Sequence, residues 1–500
     1  MTNVVATVAK LSQDACYRAL TARDARFDGV FYVAVKTTGV YCRPICPART
    51  PGRARCEFFT RAAEAERAGY RACFRCRPEI APGNASTEAA SKLAHVAAAR
   101  IEAGFLNEHS IDELAAQLGV TARHLRRTVQ VELGASPVEL AQTARLALAK
   151  QLLHDSKLSL ADVAFASGFS SVRRFNALLR ERFGKAPTLL RRDHGAAEAA
   201  DCIALRLDYR APYDFASLLG FLRGRAIAGV EVVGDDEYVR SLALGEHKGF
   251  IAVRADHPRG VLRARVSLTL APKLMEVTAK LRALFDLSAR PDVIARDLKR
   301  DPLLKPLVTA RPGLRVAGSM DGFETAVRTI LGQQVSVRGA TTLSGRFAER
   351  FGTPIESHGF CARAGVTRVF PAAEVIANAA VSDVRAIGMP VARAHTIIAL
   401  ARAVASGELT LVSGADPEQT MAALTEIPGI GPWTASYLAM RVLRWPNAFP
   451  AGDLILHRAL DAKNAKAAIE RARAFEPWRA YATLHLWRAW SERVPNAQGG

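Results

Sequence analysis

Cys42, Cys46, Cys73 and Cys76 are spaced Cys-x3-Cys-x26-Cys-x2-Cys. Two close pairs of thiols suit a tetrahedral zinc site, because Zn²⁺ takes four thiolate sulfurs. A thiolate in such a site stays nucleophilic at neutral pH. Cys56 lies in the same stretch but outside the paired spacing, and is expected not to be a ligand. Far downstream, Ile427-Pro-Gly-Ile-Gly-Pro-Trp-Thr-Ala-Ser-Tyr437 joins two helical patterns. Gly429 and Gly431 permit a tight hairpin there and leave backbone N–H groups for a phosphate beside a helix N-terminus. Asp453 follows Phe449-Pro-Ala-Gly and reads as the cap of the helix that begins at Leu454.

The elements that must position these groups belong to several domains. A chain of 500 residues is too long for one core, and three or four domains are expected. No apolar run is long enough to span a bilayer, and residues 1–30 lack a targeting pattern. Cys16, Cys202 and Cys361 are scattered, as in a reducing compartment, so the expectation is a cytoplasmic protein without a membrane partner. The net charge is +20, with 14 basic against 7 acidic residues in 1–80, 15 against 12 in 81–200 and 39 against 29 in 201–500. A basic excess spread along the chain suits a polyanionic partner. An Arg-rich genome composition is the other reading of the same numbers.

Residues 80–87 and 193–200 are small, polar and broken by Gly or Pro, and read as linkers. Between them, Ile111, Leu114, Ala115 and Leu118 share one helix face, Gly119-Val120 makes a turn, and Thr121 caps a second helix to Glu132. The unit recurs at Leu160–Phe183, with Gly168 as the turn and Ser170 as the expected cap. A helix-turn-helix places the start of its second helix at base edges in the major groove. Arg123, His124 and Arg127 in the first unit, and Arg173, Arg174 and Asn176 in the second, are therefore the candidate DNA contacts. For any one of them a phosphate contact or a solvated face stays open. Alternating apolar and polar residues predict strands at 203–209, 251–254 and 262–270, with a helix from Phe215 to Arg225, in a stretch without evident chemistry. Later helices are expected at 322–331, 336–351, 392–405, 421–424, 434–443 and 453–460.

The residues around the cysteines carry more than their spacing. Phe31-Tyr-Val-Ala-Val-Lys-Thr-Thr-Gly-Val-Tyr-Cys-Arg-Pro-Ile-Cys-Pro47 and Gly69-Tyr-Arg-Ala-Cys-Phe-Arg-Cys-Arg-Pro78 resemble the zinc methyl-acceptor domain of the Ada family. The doubled helical unit, closed by Gly184-Lys-Ala-Pro-Thr, resembles the AraC-type DNA-binding domain. The Gly-rich hairpin with Asp453, Leu331-Gly-Gln-Gln-Val-Ser-Val337, Pro212-Tyr-Asp-Phe-Ala-Ser-Leu-Leu-Gly-Phe-Leu-Arg223 and Pro477-Trp-Arg-Ala-Tyr-Ala-Thr-Leu-His-Leu-Trp487 resemble AlkA-type 3-methyladenine DNA glycosylases II. Those enzymes belong to the helix-hairpin-helix superfamily.

The resemblance implies Zn²⁺ on Cys42, Cys46, Cys73 and Cys76, with Cys42 as the acceptor of a methyl group from a DNA methylphosphotriester. It implies Asp453 as the catalytic carboxylate and Trp433, Tyr437 and Trp487 as the base pocket. Gln333 and Gln334 fall where the family inserts a plug into the minor groove. Trp433 stands where bifunctional relatives carry a Lys nucleophile, which implies a monofunctional N-glycosylase. No Cys follows Cys361, so the iron–sulfur cluster of some relatives is not expected. The second methyltransferase of Ada, with its Pro-Cys-His-Arg motif, is missing.

The expected fold is multidomain α+β. It comprises a small zinc-binding α/β domain (1–80), an all-α double helix-turn-helix domain (85–193), a small α+β domain (201–285) and an all-α helix-hairpin-helix glycosylase domain (286–495). The expected activities are those of a DNA-3-methyladenine glycosylase II and a methylphosphotriester-DNA–[protein]-cysteine methyltransferase. The expected partner of this monomer is double-stranded DNA, alkylated or at promoters, with RNA polymerase as a further candidate. The rivals are a transcription regulator whose glycosylase part is a non-catalytic sensor, and an enzyme whose helix-turn-helix pair only holds it on DNA.

Overall fold

The computed structural model describes residues 12–82, 92–191, 202–356, 359–361 and 365–493. Of the first expected linker only 80–82 is described, and the second, 193–200, lies outside the described residues. The chain divides into two compact units. One holds 1–211, 256–279 and 287–289; the other holds 212–255, 280–286 and 290–500.

In the first unit helix Gln13–Thr21 precedes a four-stranded sheet, in the order Cys56–Phe59, Tyr32–Val35, Val40–Cys42, Arg71–Ala72. The last two strands pair in parallel, Tyr41 opposite Ala72. Helix Ala62–Arg67 packs on this sheet. Seven helices follow between Lys92 and Leu190. Their starts are set by side-chain caps: Ser110 with Glu113 and Ser136 with Glu139 form capping boxes, and Thr121 accepts from the His124 N–H at 3.2 Å. The second recognition helix, Val172–Phe183, is capped by Ser171 rather than Ser170. Helix Pro137–Asp155 between the two helix-turn-helix units buries Leu140, Leu146, Leu148, Leu152 and Leu153. Apolar residues fall on more than one side of it, as in a helix surrounded by partners.

Strands Cys202–Asp208 and Val261–Ser267 pair antiparallel within this same unit. There Gln151 of the long helix donates to the Arg206 carbonyl at 3.0 Å, and Arg43 pairs with Asp208 at 2.9 Å.

The second unit holds the antiparallel strands Glu231–Val233 and Glu237–Leu244, all but the last residue of His247–Asp256, and then helices. The first two of these strands were not expected. Along Glu237–Leu244 the residues from Tyr238 to Leu242 are all buried, Arg240 and Ser241 included, so the alternation that marks a strand is lost. Arg240 is kept charged in the interior by Glu324 at 2.6 Å. The helices expected at 322–331, 336–351 and 392–405 form as Gly322–Leu331, Val337–Phe351 and Val391–Ala405. Pro417–Thr425 and Pro432–Arg441 flank the hairpin, and Leu454–Ala459 and Arg479–Arg493 complete the site.

Candidate metal centre and candidate active site

The four cysteine sulfurs expected as ligands lie within 4.8 Å of one another, and all four residues are buried. The parallel pairing brings the two pairs together: the Cys73 N–H donates to the Tyr41 carbonyl at 3.0 Å, one residue from Cys42. The turns then supply N–H groups to sulfur, Arg43 to Cys76 at 3.4 Å and Arg75 to Cys73 at 3.3 Å. Four sulfurs on one zinc stand about 3.8 Å apart, from Zn–S bonds of about 2.3 Å. The residues therefore fit Zn²⁺. Cys56 is not in the cluster, and its thiol points at the Gly52 carbonyl.

Two buried cations, which the sequence alone did not single out, sit on carbonyls of this cluster. Arg43 donates to the Cys76 carbonyl at 3.2 Å and is paired with Asp28 and Asp208. Burial would release its proton, but the two carboxylates outweigh burial and hold it above the ordinary value. Lys150 donates to the Cys73 carbonyl at 2.8 Å and to Glu79 at 2.8 Å, and lies over the Phe74 ring.

The second constellation is brought together from distant parts of the chain. Asp453 caps its helix through Oδ1, which accepts from the N–H groups of Ile455 and Leu456 at 3.0 Å each. The Trp487 indole donates to the same oxygen at 3.1 Å, and the Trp433 indole donates to Oδ2 at 3.1 Å. Trp433 and Tyr437, one turn apart on Pro432–Arg441, stack with centroids 5.3 Å apart and planes at 6°. Trp487 tilts against Tyr437 at 6.3 Å. All four side chains are partly exposed.

The hairpin and the loop at 332–336 are tied together. Gly429 has φ +92°, and a Cβ there would meet Thr396 Oγ1 at 2.2 Å, so only glycine fits. Gly431 precedes a helix that has no side-chain cap, and space around it is open. Gln333 donates to the Gly429 carbonyl at 3.0 Å and reaches Thr434 at 3.3 Å, while Arg393 donates to the Gln333 carbonyl at 2.6 Å. Gln333 is thus a strut between loop and hairpin. Gln334, at φ +56°, is exposed at the loop tip.

Among the helix-turn-helix candidates, Arg123, His124, Arg127, Arg173 and Arg174 are exposed near the starts of their helices. Asn176 differs: it is half-buried, with its Oδ1 turned inside. The stretch expected to lack chemistry also differs. Its Phe221 and Arg225 lie with Arg441 behind Tyr437: Arg441 donates to the Tyr437 hydroxyl at 2.7 Å and stacks 4.7 Å over Phe221.

Family models match in chain order. They are the metal binding domain of Ada at 15–79, a helix-turn-helix domain at 114–193, the AlkA N-terminal domain at 204–321, and the HhH-GPD superfamily base excision DNA repair protein at 327–478. A curated relative from Mycobacterium tuberculosis (strain CDC 1551 / Oshkosh), named "Probable bifunctional transcriptional activator/DNA repair enzyme AlkA", is 41% identical over 485 residues. The match spans 94% of this chain and 95% of the relative. This chain belongs to that bifunctional AlkA family. The DNA-3-methyladenine glycosylase 2 of Escherichia coli (strain K12) is 38% identical over 283 residues, covering 56% of this chain and 95% of the relative. In fold, the chain is similar to the solved 3-methyladenine DNA-glycosylase from Archaeoglobus fulgidus. The TM-score is 0.51 at 22% identity, covering 58% of this chain and 99% of that one. Within the family, the thiol cluster falls in the Ada-type part, and Asp453, Trp433 and Tyr437 fall in the HhH-GPD part. Among the described residues no helix is long and apolar enough to cross a membrane.

Proposed function

We propose that this chain repairs alkylated DNA in two ways and reports the damage to transcription. The observation that carries the reading is the Asp453 carboxylate, held by two indole and two backbone N–H groups beside a stack of aromatic rings. A base joined to deoxyribose must be flipped from the duplex to reach such a site, at a cost of a few kcal/mol. Trp433, Tyr437 and Trp487 offer π faces to an N-alkylated, cationic base, worth about 0.5–2 kcal/mol each. The alkylated base departs with the electrons of the glycosidic bond. Asp453 stabilises the oxocarbenium-like sugar that remains, and water adds to it. Trp433 offers no amine, so the product is an intact abasic site. Gly429 and Gly431 bring the uncapped helix N-terminus against a DNA phosphate. Gln334 fills the gap left by the flipped nucleotide, and Gln333 fixes the loop that carries it.

In the thiol cluster, zinc would be held by Cys42, Cys46, Cys73 and Cys76 and would keep the sulfurs ionised at neutral pH. The Cys42 sulfur bonds to the methyl carbon of a methylphosphotriester as the carbon–oxygen bond breaks, leaving a phosphodiester anion. The thioether is stable, so each molecule acts once. The charge of the site rises from about −2 to about −1, which eases repulsion from phosphates and favours promoter binding through Arg123, His124, Arg127, Arg173 and Arg174. RNA polymerase is the partner that an activator requires. We read the protein as a cytoplasmic monomer with the four expected segments.

Release of 3-methyladenine from methylated DNA by the purified chain, lost in Asp453→Asn, tests the glycosylase and decides against the sensor-only rival. Methyl transfer is tested by labelled phosphotriester DNA, with the label expected on Cys42. Label on Cys46 or Cys56 would overturn that assignment. A promoter footprint before and after methylation separates an activator from an enzyme merely tethered to DNA.

A further inference from the structure

Behind the aromatic stack, Arg441 and Arg225 have no carboxylate partner among the described residues. Arg441 is buried and donates to the Tyr437 hydroxyl at 2.7 Å. Its other partners are the carbonyls of Ala317 and, at 2.9 Å, of Gly318. Arg225 lies 4.0 Å over the Phe221 ring, donates to the Phe221 carbonyl at 3.3 Å and reaches the same hydroxyl. Arg328, from helix Gly322–Leu331, donates to the Arg225 carbonyl and brings a third positive charge. That one is answered, by Glu231 at 2.5 Å and by Glu324 at 3.1 Å, which also pairs with Arg240 at 2.6 Å. Across the stack, Asp453 is taken by the indoles of Trp433 and Trp487. His485, on the helix that supplies Trp487, is pushed down to about 4 by burial and stays neutral.

Charge of one sign, partly shut from water, calls for a counter-charge. An arginine keeps its proton at neutral pH, so Arg441 and Arg225 cannot relieve the excess themselves. The acid they share is the Tyr437 phenol. Burial alone would raise that phenol, but Arg441, Arg225 and Arg328 outweigh burial and hold it below the ordinary tyrosine value. In return, burial lowers Arg225 while Tyr437 acts to raise it. A neutral phenol leaves this excess facing the rings, where it repels a cationic base. An ionised phenol cancels part of it.

We propose that Tyr437 gives up its proton when a cationic base enters, and that the phenolate selects such bases by charge. This rests on the glycosylase reading above. An opposite charge close to a group favours its ionised form, so the entering cation completes what the guanidiniums begin. The phenolic O–H bond breaks, its proton passes to solvent, and the negative charge spreads from the oxygen into the ring. The attraction is Coulombic, so the hydroxyl can stay turned toward Arg441 and need make no hydrogen bond to the base. A neutral base of the same shape draws no proton from Tyr437. Arg441 and Arg225 thus set the charge of the wall, and the wall sets the preference.

The test uses the full chain and Tyr437→Phe with three duplexes of one sequence. The first carries 7-methylguanine on a 2′-fluoro sugar, which resists cleavage. The second carries 7-methyl-7-deazaguanine, a neutral base of the same shape, and the third is undamaged. Calorimetric titration near neutral pH, in buffers of different ionisation enthalpy, gives affinity and counts the protons released. With 7-methylguanine the wild type should release more protons than Tyr437→Phe, and with the deaza base the two proteins should match. Tyr437→Phe should also lose at least about tenfold of the preference for 7-methylguanine over the deaza base. Equal proton counts with 7-methylguanine, the same difference with the deaza base, or an unchanged preference would make Tyr437 a neutral wall and overturn the proposal, leaving the glycosylase reading intact. Wild-type binding of the 7-methylguanine duplex no tighter than of the undamaged one sinks that reading, and the proposal with it.

Discussion

The thiol cluster and the Asp453 site solve opposite electrostatic problems. The cluster gathers negative charge in one buried place, and its surroundings answer with cations, Arg43 on the Cys76 carbonyl and Lys150 on the Cys73 carbonyl. The Asp453 site holds a single carboxylate near partly exposed rings, and its surroundings answer with N–H dipoles from two indoles and a helix start. The first arrangement is tied into the core of its unit, so its parts are also structural. The second holds its charge on a helix cap and two indoles among partly exposed side chains. Removing a part of the first should cost structure; removing a part of the second should cost rate.

The largest effect is expected from Cys73→Ala. Structural zinc contributes about 10–16 kcal/mol in small metal-dependent domains at neutral pH. Zinc content by absorption spectroscopy should fall to background, and residues 12–82 should become protease-sensitive. A chelator on the wild type should do the same, while base release persists. Retained zinc in Cys73→Ala would break the contrast at its strong end.

Asp453→Asn comes next. Asn still caps the helix, so stability should change by at most about 1 kcal/mol. The lost charge should lower excision by about 10²–10³. Unfolding by denaturant and single-turnover base release measure the two sides. A large stability loss with unchanged rate would place Asp453 in the first class instead. Trp487→Phe is milder: it keeps an apolar ring and removes one N–H from Oδ1. A hydrogen bond to a charged group is worth about 1.5–3 kcal/mol, so excision should fall by about 10- to 100-fold with little change in melting temperature.

The contrast also governs what the sequence reveals. The ligand pairs of the cluster are neighbours along the chain, so spacing alone finds them. Only the parallel pairing of Tyr41 with Ala72 shows how the pairs meet. Asp453 and Trp487 belong to other helices than Trp433 and Tyr437, and a resemblance was needed to join them. Arg328 and Arg441 stayed hidden because an Arg on a helix reads as a solvated face until packing covers it. Strand Glu237–Leu244 was masked for a related reason, since buried Arg240 and Ser241 erase the alternation. The one-residue error at Ser170 lies below what residue type can resolve. Ser171 is an equally good cap, and backbone geometry chooses between them.

The smallest effect separates fold from contact within the hairpin itself. Gly429 and Gly431 look alike in the sequence, yet their surroundings differ. At Gly429 a methyl group meets Thr396 Oγ1, and the hydroxyl cannot easily yield because it donates to the Pro428 carbonyl at 2.8 Å. The positive φ adds its own cost, so Gly429→Ala should destabilise the second unit by about 1–3 kcal/mol. At Gly431 the backbone is in an ordinary region and nothing lies within 4 Å. Gly431→Ala should therefore leave stability within about 0.5 kcal/mol. If the uncapped helix start grips a phosphate, the added methyl stands where the DNA approaches, and affinity for an abasic duplex should still fall several-fold. Equal affinity for wild type and Gly431→Ala, by titration at two salt concentrations, would remove the hairpin from the DNA-binding surface. The difference between the two glycines would then be one of folding alone.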